Sequence, residues 1–366
     1  MLDYKELNNN SLILNIPKMT KNTVFVIGAG ASNEANLPTG YELKSNISKL
    51  LDIRFPDGYQ QTSGDNVITT VFRKLALNPD GRSGDINPYL HEAWHIRDAL
   101  PQAISIDNFI DAHRDNDKIA LCGKLAIVRS ILDAEKRSLL YFEKSRIDSN
   151  INFSRLEKTW YIPFLQLLTE NCHKTELTER FKSITLIVFN YDRCIEHFIY
   201  YALQNYYRLS GAEAAELVKN INIYHPYGDV GTLPWVDQNG AMEFGIEPNA
   251  NQLLELSQKI KTFTEGTDPE ASKILEIRKH MGIADRVVFL GFAFHKLNMQ
   301  LITPALLDDT NNSEIKCFAT TSGISHSDQE VIDEQINELY RGRIKVNMAY
   351  MYCGDFFAEY RRSLSF

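Results

Sequence analysis

Short apolar runs rich in β-branched residues, alternating with segments of helical periodicity, constrain this chain more than any other feature. The runs are Thr23 to Gly28, Ile184 to Phe189, Ile221 to Tyr224, Arg286 to Leu290, Ile315 to Thr320 and Ile344 to Tyr350. Most are apolar without a polar alternation, which is the pattern of strands buried on both faces rather than of a half-solvated sheet. Between the later runs, helices are predicted near Ile195 to Leu209, Asn251 to Phe263, Pro269 to His280, Leu297 to Leu307 and Asp328 to Tyr340, with a last one at Phe356 to Ser363. Strands alternating with helices imply a parallel sheet wound on both faces, so the expected fold is a doubly wound, Rossmann-like α/β sheet.

The first run stands apart from the other five. After it, Leu43, Ile47, Leu50 and Leu51 recur at helical spacing behind Pro38, and then no comparable β-run occurs until Ile184. The intervening apolar residues, such as Ile119, Leu125, Val128, Ile131 and Leu132, fit helices. The expected organisation is therefore an α/β domain formed by residues 1–51 and 184–366, with a mainly helical insertion at 52–183. Within it, Phe55 to Gly84 and Asn87 to Pro88 hold most of the turn residues and are expected to be loop.

Composition excludes several classes. Of 366 residues, 44% are hydrophobic and 23% charged, so disordered and fibrous classes do not fit. The net charge of -8 lacks the basic excess of a domain that coats nucleic acid, so direct DNA or RNA binding is not expected. The longest apolar stretches are far shorter than the roughly 20 residues needed to span a bilayer, so no membrane segment is expected. Met1 to Thr20 has neither a secretory nor a transit-peptide pattern. Five cysteines, Cys122, Cys172, Cys194, Cys317 and Cys353, form no C-x-x-C pair, so neither a zinc site nor a disulfide framework is expected. A cytoplasmic location follows from that reading.

In an open α/β sheet, ligands bind beyond the carboxyl ends of the strands. After the first run comes Gly28-Ala29-Gly30-Ala31-Ser32, whose small residues would let a pyrophosphate approach the backbone and a helix N-terminus. Asn33 replaces the third glycine of G-x-G-x-x-G, and tight packing alone would also explain the turn. Asn190 and Asp192 follow the second run, as candidates either for a site or for helix capping. His225 follows the third, held in a Pro/Gly turn where it could act as a general base. Gly291 follows the fourth, near the other half of a nucleotide or simply at a packing contact. In the insertion, Ser105 to Asp111 reads as a helix with Ile106, Phe109 and Ile110 inward; Asp107 or Asn108 would meet substrate only if that helix bordered the pocket.

These pieces resemble the sirtuin-like family, in its branch of bacterial antiphage NAD-consuming proteins. Gly28-Ala29-Gly30-Ala31-Ser32 with the later Leu37-Pro38 is similar to the opening G-A-G-x-S and following proline of that family. Asn190 and Asp192 look like the last part of its Gln-Asn-x-Asp motif, and His225 like its histidine. The likeness covers the α/β part, about 200 residues in two pieces, and none of the insertion. Departures are informative: Phe189 stands in place of the glutamine, Thr39-Gly40-Tyr41 in place of Asp-Phe-Arg, and Pro226 in place of the glycine after the histidine. The zinc-binding C-x-x-C pairs of the deacylases are absent.

The resemblance implies an NAD hydrolase that releases nicotinamide and ADP-ribose, with NAD as substrate, no zinc, and water rather than acyl-lysine as acceptor. It implies Asn190 as the residue that positions the ribose or the attacking water, His225 as base or hydrogen-bond partner of the ribose hydroxyls, and Asp192 at the nicotinamide carboxamide or as an organiser of its loop. Gly28, Ala29, Gly30, Ser32 and Pro38 are implied around the diphosphate and ribose, and Gly291 near the adenosine half. It further implies a homo-oligomer, a HerA-like hexameric ATPase as partner, and a role in antiphage defence. The competing readings are a protein deacylase or ADP-ribosyltransferase on the same fold, a non-catalytic NAD or ADP-ribose sensor, and a scaffold associated with nucleic acid.

Overall fold

The computed structural model describes residues 21–145, 149–238, 240–262, 265, 273–307 and 314–365. Six strands form one all-parallel sheet: β1 (Thr23–Ile27), β2 (Ile184–Val188), β3 (Asn222–Tyr224), β4 (Arg286–Leu290), β5 (Ile315–Thr320) and β6 (Ile344–Ala349). The spatial order is β3-β2-β1-β4-β5-β6. β1 is central, with Ile27 level with Val188 on one side and Leu290 on the other. The order reverses between β1 and β4, which is where a doubly wound sheet opens its crevice. This is the Rossmann-like arrangement expected from the alternation.

Every residue of β1 is buried. Val24 and Val26 join one apolar cluster with Ile187, Val287, Phe289 and Cys317, while Phe25 and Ile27 join the other with Leu186, Val188, Val288 and Phe318. The period of two divides each strand between two cores, and so an uninterrupted apolar run is what a central parallel strand requires.

The first face is covered by the helices of residues 40–137 and 250–339, and the second by those of residues 161–218 and 353–364, with Ala31 of the short helix after β1 also in the second cluster. In chain order these are α1 (Ala29–Asn33), α2 (Gly40–Leu51), α3 (Asn66–Leu75), α4 (Asn87–Ala99), α5 (Ile106–Ala112), α6 (Asp117–Arg137), α7 (Tyr161–Thr169), α8 (Leu177–Lys182), α9 (Cys194–Tyr207), α10 (Gly211–Val218), α11 (Ala250–Ser257), α12 (Ile274–Gly282), α13 (Lys296–Leu301), α14 (His326–Leu339) and α15 (Cys353–Leu364). Between β1 and β2 the described residues hold helices and a single isolated bridge, Arg54 with Ser63. Their buried side chains belong to the same two clusters as the strands: Ile68, Phe72 and Leu125 to one, Trp160, Phe164 and Phe181 to the other.

Three expectations need correction. The stretch Phe55 to Gly84 is not all loop, because α3 forms in its middle. The Asp65 carboxylate accepts from the amides of Val67 and Ile68, both at 2.9 Å, and Ile68, Val71 and Phe72 bury one face of the helix. Asn87-Pro88 is the start of α4 rather than a turn, with proline in the first turn, where its missing N–H costs nothing. The helix expected over Leu297 to Leu307 ends at Leu301. Pro269 to Ser272, from another predicted helix, lie outside the described residues.

The crossing of β1 and β4 is tight because three glycines meet there. The Gly28 amide donates to Leu290 O at 2.9 Å and the Gly30 amide to Gly291 O at 3.0 Å. A Cβ on Gly291, which has φ +54, would stand 2.1 Å from the Ala31 nitrogen, and one on Gly28 would stand 2.5 Å from Gly291 O. Gly291→Ala therefore combines left-handed backbone strain with a backbone clash and is expected to cost at least about 2 kcal/mol in urea denaturation. Gly40→Ala, with nothing within 4 Å, is expected to cost nothing measurable. Equal stability of the two variants would contradict the close-approach account.

Candidate functional site

Because all six strands are parallel, their carboxyl ends share one edge. At the central end the chain turns directly into α1, so Ser32 sits one helical turn beyond β1 and is buried. The Asn190 side chain, just past β2, donates through Nδ2 to Ser32 Oγ at 2.9 Å. Its backbone carbonyl lies 3.1 Å from Nδ1 of His225, just past β3. The other ring nitrogen, Nε2, lies 2.5 Å from Glu196 Oε1 in the first turn of α9. A hydrogen-bonded string thus runs across the ends of three adjacent strands: Ser32, Asn190, His225, Glu196.

Asp192 lies beside this string, also buried, and its Oδ1 accepts from the Cys194 amide at 3.1 Å. Burial raises its carboxyl pKa, against the hydrogen bonds from Cys194 and Ser32 that lower it. The local job visible for Asp192 is to satisfy a free amide at the start of α9. Pro38 is half-buried and leads into the capping box of α2, where Thr39 and Glu42 satisfy each other's amides; it is not a member of the string.

The glycine turn is closed by backbone hydrogen bonds. The amides of Gly28, Gly30 and Ala31 are spent on Leu290 O, Gly291 O and Gly28 O respectively. The glycines are explained by the close approach of two backbones, and Gly291 is held against α1 with its amide on Thr320 Oγ1 at 2.8 Å. Phe189, where the resemblance calls for a glutamine, packs against Phe292 with ring centroids 5.0 Å apart and Tyr227 at 5.7 Å. An aromatic cluster, extended by Phe294, therefore covers the ends of β2 and β4.

His225 has both nitrogens engaged, which sets its charge. Burial pushes the imidazole toward neutrality, but the Glu196 carboxylate, with Asp229 and the Asn190 carbonyl behind it, outweighs burial and raises its pKa to about 9. At neutral pH the ring is an imidazolium that donates from Nδ1 to Asn190 O and from Nε2 to Glu196. Its two hydrogen bonds tie the end of β2 to the first turn of α9.

Glu196, His225 and Asp229 border a cavity of about 280 Å³ that is walled on the apolar side by Val218, Ile221 and Ile223. The long connection after β3 is folded around Arg193. Its buried guanidinium donates to both carboxylate oxygens of Glu135 on α6, at 3.0 and 2.6 Å, and to the carbonyls of Gly231, Met242 and Glu243. Glu135 also accepts from the Gly245 amide at 2.9 Å. A second tie comes from α5, where Ile106, Phe109 and Ile110 pack inward and Asp107 accepts from the Tyr191 hydroxyl.

Sequence reasoning missed Glu196, the Arg193–Glu135 pair and the Tyr191–Asp107 contact. Asp192 precedes α9 and Glu196 lies in its first turn. No spacing rule could join Glu196 to His225, 29 residues away. Among the described residues, no group of three or more His, Cys, Asp or Glu is arranged to hold a metal ion, and no helix is long and apolar enough to cross a membrane.

Two outcomes test this electrostatic account. Glu135→Gln leaves the Arg193 charge buried without its counter-ion and is expected to cost about 3 kcal/mol or more by chemical denaturation; a loss under 1 kcal/mol would contradict it. For His225, the folded pKa near 9 lies above the ordinary value of 6.5, so its stabilising contribution is complete below pH 6.5 and disappears as pH rises through 9. Wild-type stability minus that of His225→Gln is expected to shrink across that window, and a difference constant from pH 6 to 10 would refute the charged ring.

Comparison with protein-family models and with curated proteins found no match for this chain.

Proposed function

We propose that this chain is an NAD glycohydrolase that cleaves NAD to nicotinamide and ADP-ribose at the rim formed by the ends of β1, β2 and β3. The observation that carries the reading is the hydrogen-bonded string Ser32–Asn190–His225, which joins the three motif residues of the family resemblance across three strand ends. Departure of neutral nicotinamide from a cationic pyridinium leaves an oxocarbenium-like ribose, so the demands on the protein are a held ribose, a positioned water and excluded solvent.

Ser32 and the Asn190 amide supply polar groups for that task. With Nδ2 engaged by Ser32, Asn190 Oδ1 is the acceptor proposed for a ribose hydroxyl or the attacking water. His225 fixes the Asn190 backbone and carries a positive charge at neutral pH; Glu196 balances that charge. Asp192 orders the entry to α9. Gly28, Ala29, Gly30 and Gly291 shape the floor of the crevice. On the same reading, which rests here on motif resemblance, the enzyme is a cytoplasmic homo-oligomer that works with a HerA-like hexameric ATPase and depletes NAD in antiphage defence.

A second reading has one observation in its favour. Both nitrogens of His225 are engaged and the glycine amides are spent within the fold, as suits a module that binds NAD or ADP-ribose without cleaving it. Chromatography of NAD reactions, with the chain alone and with a HerA-like ATPase, separates the two. Nicotinamide release is expected from the wild type, and Asn190→Ala is expected to reduce it about 100-fold with its circular dichroism unchanged. NAD binding without release would establish the sensor reading, and label carried onto protein would indicate ADP-ribosyl transfer.

A further inference from the structure

We propose that Glu196 is a positioning residue of this site, holding the His225 ring against the Asn190 carbonyl and so fixing the rim that presents the Asn190 side chain. The proposal rests on the reading that this rim is where chemistry occurs. Its geometric basis is independent of any substrate. Glu196 Oε1 is 2.5 Å from His225 Nε2, and the side chains of both are largely covered, with 14% and 9% of their surface exposed. The second carboxylate oxygen, Oε2, is buried and has no hydrogen-bond partner.

An orphaned buried carboxylate oxygen is costly to maintain, so the pairing on Oε1 must be what retains a glutamate there. A neutral side chain would pack into the same place without that cost. The ring in turn can bridge α9 and the end of β2 only while both its nitrogens carry protons, because a carboxylate and a carbonyl both accept. The titratable groups around the ring are Glu196 from α9, Asp229 from the loop after β3, Asp192 and Arg193 beyond the end of β2, the latter paired with Glu135, and Lys219, which lines the same cavity.

The test combines an NMR titration of the His225 ring with nicotinamide-release kinetics in the wild type, Glu196→Ala and Glu196→Gln. The expected result is a fall in the His225 pKa from about 9 to 6.5 or below in both variants. With it, kcat is expected to drop about tenfold in the alanine variant and less in the glutamine variant, whose carbonyl still accepts from Nε2–H, while KM for NAD stays within about twofold. An unchanged His225 titration in Glu196→Ala, or kcat within twofold of wild type, overturns the proposal. If the alanine variant does not fold, the glutamine variant gives the same titration. If the wild type releases no nicotinamide, the NAD reading fails by itself; a lowered His225 pKa in the variants then still supports Glu196 as the residue that holds the ring, and an unchanged one overturns it.

Discussion

The buried contact between Arg193 and Glu135 joins the parts of this molecule that chain connectivity leaves apart. Arg193 follows Asp192 at the mouth of β2, Glu135 lies on α6 between β1 and β2, and the three carbonyls that share the guanidinium belong to the connection after β3. A guanidinium has five N–H donors and a carboxylate about four acceptor sites, so the pair can organise several backbone segments at one point. Two charges taken from water contribute little net stability against an apolar alternative. What the pair does contribute is geometry, since the bonds to Gly231, Met242 and Glu243 shape a connection with little regular structure beside His225.

The site rests on a second constraint, the approach of β1 to β4 at the point where strand order reverses. Gly28, Gly30 and Gly291 permit backbone contact there, and their amides are consumed by it. As a result, the polar groups at the carboxyl edge are concentrated on the β1, β2 and β3 side, in Ser32, Asn190 and His225, while Phe189, Phe292, Phe294 and Tyr227 cover the ends of β2 and β4. The same glycine motif is compatible with nucleotide binding and with tight packing, and here the two backbones pack directly against each other.

The sheet was legible in the chain because short runs rich in apolar residues leave a strong local signal, most of all in β1, β2 and β4, which are buried along their whole length, and each of the six strands falls within its run. Asn190 and His225 were legible for a related reason: strand ends in a parallel sheet converge on one edge. The helix α3 was hidden by Pro, Gly and Asp residues on both sides of it, although Ile68, Val71 and Phe72 carry the helical period. Glu196, Arg193 and Glu135 were not legible, since their roles depend on contacts across 29 and 58 residues of chain. The charge of His225 depends on contacts of the same kind, because a loop histidine looks available until its two partners are placed.

The most direct measurement of the central claim is a crystal structure of the Asn190→Ala variant soaked with NAD. The account predicts the nicotinamide ribose at the ends of β1 and β2, with a ribose hydroxyl within hydrogen-bond distance of Ser32 Oγ and the His225–Glu196 contact beside it. NAD bound away from Ser32 and His225, or no NAD bound at millimolar concentration, would contradict it.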